Sequence, residues 1–162
     1  MKSQVPQHGF SLVELTLAIG VAAICLLTIF SVLPIGLQTS QRAIEQTASA
    51  DILATVAADL RATPVTIPRG SATTSPQFAI NIPANPVSSA TTTTLFFTSE
   101  GQLTPQTANP RYRLTITFLP NDPGMMPAQT ATFVDLKVTW PALATDTNTQ
   151  GSAEMFAAFD RN

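Results

Sequence analysis

The stretch HGFSLVELTLAIGVAAICLLTIFSVLPIGL, His8 to Leu37, decides how the chain folds. After Phe10 it is apolar almost throughout, and from Leu15 to Gln41 no side chain is charged. As a helix rising 1.5 Å per residue, Leu15 to Leu33 spans about 28 Å, close to the ~30 Å hydrocarbon core of a bilayer. A helix satisfies its own backbone and can therefore enter lipid. An ordinary secretory signal has a shorter apolar region and a small-residue cleavage site after it, and neither feature fits here. One residue resists the plain-anchor reading. Glu14 places a carboxylate at the front of the span, where lipid burial is costly and a partner is expected.

Composition narrows the rest. Only 11% of the 162 residues are charged and the formal net charge is −2, with no run of Lys or Arg. Nucleic-acid binding needs clustered cations, so that class of partner is not predicted. The single cysteine, Cys25, lies inside the apolar run, where a thiol acts as a small hydrophobe, and the single histidine is His8. An intramolecular disulfide is excluded, and histidine-based catalysis or a zinc site has almost nothing to work with. No nucleophile elbow, phosphate loop or paired-carboxylate pocket can be identified, so no enzyme activity, cofactor or metal is expected. Asp122, Asp146 and Asp160 fall in loops or near the C-terminus without calcium-loop spacing and read as solvated carboxylates.

Downstream of the span, Pro34 and Gly36 in LPIGLQ predict a helix break, since proline removes a backbone donor and crowds the preceding turn. The next segment, QTSQRAIEQTASADILATVAADLRATP, is amphipathic. Ile44, Ala48, Leu53, Val56, Ala57 and Leu60 recur at helical spacing, while Arg42, Glu45, Asp51 and Asp59 fall mainly elsewhere. Pro64 ends it. RGSATTSPQFAINIPANPVSSATTTT has the Ser, Thr and Pro content of a loop.

The last third reads as antiparallel sheet. TLFFTSEGQL is a short strand with a Glu-Gly turn, and RYRLTITFL places Tyr112, Leu114, Ile116 and Phe118 on one face. NDPG, at 121–124, is a turn signal. ATFVDLKVTWP turns Val134, Leu136, Val138 and Trp140 inward, and AEMFAAF closes the sheet. One-sided alternation means one buried face, with the amphipathic helix as its cover. The expected fold is therefore α+β: a long N-terminal helix, membrane half then amphipathic half, packed on a C-terminal antiparallel sheet.

GFSLVE, behind a short polar leader and ahead of a long apolar helix, resembles the class III signal of type IV pilins and pseudopilins. The helix-then-sheet order is similar to theirs as well. LPIGL, TLFFTSEGQ and VTWP further resemble the Verru_Chthon cassette protein B group of pilin-like proteins. The resemblance implies that a prepilin peptidase cuts between Gly9 and Phe10 on the cytoplasmic side and N-methylates Phe10. It implies that Glu14 guides assembly and that Pro34 marks a loosened point in the helix. The leader departs from the family's pattern in having one basic residue, Lys2. The implied organisation is a leader at 1–9, a transmembrane and assembly helix at 10–37, an amphipathic half at 38–63, a loop at 64–93 and a sheet domain at 94–162.

The implied function is a structural subunit, minor in stoichiometry, of a type IV pilus-type filament or type II secretion pseudopilus. Its partners would be the peptidase, other subunits through the N-terminal helix, the inner-membrane assembly platform and membrane lipid. Its expected location is the bacterial inner membrane, single-pass with the N-terminus cytoplasmic, and then the filament. The alternative is an uncleaved, membrane-anchored extracytoplasmic binding domain. The implied cut would have a physical consequence: it creates an α-amino cation at Phe10, which can meet Glu14 of a neighbouring subunit. A buried pair of this kind offsets desolvation only in good geometry, so it can set register.

Overall fold

A computed structural model describes residues 11–64, 66–68, 70–120 and 131–160. Gly9 and Phe10, the NDPG turn and Asp122 lie outside the described residues. The chain divides into two compact units, Met1–Ala43 and Ile44–Asn162. One helix, α1 (Leu12–Ala62), contributes to both.

In the first unit α1 is long and apolar enough to cross a membrane, and its described residues are exposed. α1 runs through Pro34 and Gly36 as one continuous helix, so it does not end there. Proline removes one backbone donor at a cost of about 3 kcal/mol, which long helical runs on both sides can absorb. Gly36 does not adopt the left-handed conformation that ends many helices.

In the second unit the final turns of α1 bury Ile52, Leu53, Val56, Ala57 and Leu60, together with Ser49 and Asp59. Ala48 packs against this core from its margin, whereas Ile44 is 64% exposed and takes no part in it. The end of the helix is closed locally: the Thr63 amide donates to the Leu60 carbonyl at 3.4 Å and its hydroxyl to the Asp59 carbonyl at 3.2 Å. Pro64 cannot continue the ladder.

Beyond α1 the loop region holds a small hairpin, β1 (Thr73–Thr74) with β2 (Asn81–Ile82). The main sheet comprises β3 (Thr91–Phe97), β4 (Leu103–Thr104), β5 (Tyr112–Phe118), β6 (Thr132–Trp140) and β7 (Gly151–Phe159). Its order is β4-β3-β5-β6-β7, antiparallel at every step. The loop is thus shorter and more structured than expected, and the sheet begins at Thr91 rather than 94. The expected inward residues of β5 and β6, from Tyr112 to Phe118 and from Val134 to Trp140, are all buried. They form one core with the α1 face, Ile80, Ile82, Phe97, Ala157 and Phe159. That gives the α+β arrangement of one long N-terminal helix and a C-terminal antiparallel sheet.

Two glycines fit their positions for different reasons. Gly101, in the turn between β3 and β4, has φ +75°, a conformation costly for other residues. Gly151 lies opposite Trp140 in the ladder, and a Cβ there would stand 2.3 Å from the indole Cζ2. The indole therefore lies over a residue with no side chain and meets the Tyr112 ring edge-on at 6.2 Å.

Candidate functional site

Glu14 sits in the first turn of α1 and is exposed. A carboxylate there is favoured by the unpaired amides and positive dipole end of the helix. The other polar groups of the span are satisfied within the helix. The Thr16 hydroxyl donates to the Val13 carbonyl at 2.9 Å, Thr28 to Cys25 at 2.7 Å and Ser31 to Thr28 at 2.7 Å. Such back-bonding removes the need for an outside partner in lipid. Glu14 differs: among the described residues it has no side-chain hydrogen bond and no ion pair. Glu14 is thus a carboxylate with open acceptors among the described residues, on a helix whose hydroxyls are closed. Gly9 and Phe10, where the resemblance implies cleavage and methylation, lie outside the described residues, and Pro34 and Gly36 lie within α1.

The second unit holds a carboxylate that the sequence pattern misplaces. Asp59 was expected on the polar side of the amphipathic helix, but it is 4% exposed and serves as the anchor for the segment after α1. Its Oδ2 accepts from the Ser75 hydroxyl at 2.5 Å and from the Phe78 amide at 3.1 Å, and its Oδ1 from the Gln77 amide at 2.9 Å. Ser75 in turn accepts from the Ile80 amide at 3.1 Å and pairs with Ile80 through its own amide at 2.9 Å. Short bonds to an ionised carboxylate are about twice as strong as neutral ones. A signal for this was present: an acid near a helix C-terminus faces the negative dipole end and needs donors from elsewhere.

Two ion pairs tie further parts of this unit together. Arg111 bonds to Glu45 on α1, whose side chain is 16% exposed, so this glutamate too is more than a solvated charge. Arg113 bonds to Asp146 at 2.6 Å, with the carboxylate 92% exposed. At the β3–β4 turn the Ser99 hydroxyl, then Thr98 and a backbone amide, hold the exposed Glu100 carboxyl below its ordinary range. Among the described residues no three His, Cys, Asp or Glu side chains come together as a metal-binding group. No family model, no curated protein and no solved structure matches this chain.

Proposed function

We propose that the chain is a pilin-like structural subunit, cut between Gly9 and Phe10 by a prepilin peptidase and N-methylated at Phe10. It then enters a type IV pilus-type filament or a type II secretion pseudopilus as a minor subunit. The observation that carries this reading is Glu14. It is a carboxylate without a partner among the described residues, at the head of a helix whose own hydroxyls are satisfied. The GFSLVE motif around it supplies the cut that would create the missing cation. In this reading the chain rests in the bacterial inner membrane with its N-terminus cytoplasmic and the sheet unit outside. Its partners are the peptidase, neighbouring subunits, the assembly platform and lipid.

The test is the mass of the mature N-terminus in cells that contain a prepilin peptidase. A chain beginning at N-methylated Phe10 is expected. An intact Met1 overturns the proposal and leaves the uncleaved anchored domain in its place.

A further inference from the structure

We propose that the sheet units of successive copies join edge to edge, with β7 of one copy hydrogen-bonding to the open half of β3 of the next. The strand order leaves β7 at one margin of the sheet. It is nine residues long and pairs with β6 one to one from Gly151 to Phe159, without a bulge. It contains no proline and one charged side chain, Glu154. Exposed margins are normally blunted by shortness, lysine, proline or bulges, and β7 has none of these.

The opposite margin is half open. β4 pairs only with Phe96 and Phe97, so Thr91 to Leu95 have no strand partner on that side among the described residues. This run is uncharged, free of proline and mostly threonine, a residue suited to extended structure. Thr94, Leu95 and Phe96 line a shallow groove there with Leu103, Thr104 and Pro105, where β4 ends.

Strand polarity selects the occupant. Each step from β3 through β5 and β6 to β7 is antiparallel, so β7 runs opposite to β3. A second copy in the same orientation, moved sideways in the sheet plane, therefore offers its β3 antiparallel to β7, the more stable ladder. Faces also match. Ala153, Met155 and Ala157 share the core face with Thr91, Thr93 and Leu95. A register with Met155 opposite Thr93 sets Glu154 against the Thr94 hydroxyl and Phe156 against Thr92, so no like charges meet.

Pairing β7 with itself about a two-fold axis is a poorer fit. That axis reverses the packed half of α1 between copies, whereas chains entering from one membrane share a direction. Head-to-tail joining keeps the direction and, where the rotation between copies does not close a ring, extends as an open filament. The inference rests on the filament reading for the shared orientation of many copies, and adds the surface through which their outer units meet.

The test uses the full chain in isolated membranes, on a Cys25→Ala background, with mild oxidation and non-reducing gels. Thr92→Cys and Phe156→Cys are expected to give no cross-linked dimer when expressed singly. Coexpressed, they should give a dimer, and a chain carrying both should give a ladder. Glu154→Cys and Ala158→Cys, paired with Thr92→Cys, cover the neighbouring registers on the same face, and the fluorescence of Trp140 verifies folding. A dimer from Phe156→Cys alone, or no product with Thr92→Cys from any of the three positions, overturns the inference. The N-terminal mass of the same samples separates the two readings. Cleavage without cross-linking overturns only the edge pairing, and cross-linking of an uncut chain overturns only the processed-subunit reading.

Discussion

Asp59→Ala should loosen the sheet unit far more than an exposed helix acid would. The substitution removes three hydrogen bonds, from the Ser75 hydroxyl and the Gln77 and Phe78 amides. Each donor left unsatisfied in a buried site costs about 1–3 kcal/mol, with the lower end applying where water can enter. Ser75 is 3% exposed, while the two amide bonds are only partly buried. The sum is about 3–4 kcal/mol, taking about 1–2 for the hydroxyl, which can rotate towards another acceptor, and the low end, about 1, for each amide. Trp140 is the single tryptophan and is 5% exposed in the core, so its emission follows this unit and not the apolar half of α1. Urea unfolding of the full chain in detergent should then show a midpoint lowered by roughly 1.5–2 M, for a slope of about 2 kcal/mol/M. Asp59→Asn retains a carbonyl for Ser75 and Phe78 but turns an amide donor towards the Gln77 N–H. Its loss should be smaller, about 1–2 kcal/mol. A double-mutant cycle of Asp59→Ala with Ser75→Ala should give a coupling above about 1 kcal/mol, since the two share one bond. Additive losses, or Asp59→Ala within about 0.5 kcal/mol of the parent, the range of ordinary surface substitutions, would refute the anchor.

On the proposed reading, Glu14→Val, which removes the charge and keeps the hydrophobicity, should leave membrane insertion and cleavage intact while filament incorporation fails. Unchanged incorporation sinks the register argument. Gly151→Ala forces a methyl into the space of the Trp140 indole, where its Cβ would stand 2.3 Å from Cζ2. Overpacking of this kind costs about 1–3 kcal/mol, and an unaltered urea midpoint and Trp140 emission would count against the contact. Glu100 should titrate below an ordinary glutamate, and Ser99→Ala should move it upward, followed through its side-chain carboxyl by NMR. A lowered folded-state value means the contribution to stability is present above the unfolded-state value and fades as pH falls through the folded one. No movement of the titration with Ser99→Ala would exclude the hydroxyl as the cause.

The inward phases of β5 and β6 were legible because one face of the sheet is dry: a period of two cannot be shifted by one residue without exposing the core. The helix face was harder. Ile44 carries the right hydrophobicity but stays exposed, whereas Ser49 and Asp59 are buried. Ser49 donates to the Gln46 carbonyl at 2.9 Å, and Asp59 collects donors from a segment 16 to 19 residues later. Hydropathy along a helix records what a side chain prefers when unpartnered. It contains nothing about donors that a later loop will bring. The hairpin of β1 and β2 was invisible for another reason, because strands of two residues have no period to detect. α1 continues through Pro34 because the helical runs on either side are long enough to offset one lost backbone donor.

Glu14 and Asp59 are the same chemical group on the same helix, and their surroundings are opposite: Asp59 is buried and Glu14 is exposed. Asp59 is satisfied within the chain, near the helix end where the dipole opposes it, by three donors that hold it in place. Glu14 has a favourable dipole position and no side-chain partner among the described residues. Within lipid, a carboxylate at the centre of a span costs about 2.5–3.5 kcal/mol, and less towards an interface. That cost is small enough for insertion and large enough to favour any arrangement that supplies a cation. On the proposed reading the cation appears only after the bond at Gly9 is cut, so an uncut chain has no reason to dock in register and a cut one has. Cleavage would then act as the switch between storage in the membrane and assembly, through one charge that the precursor lacks.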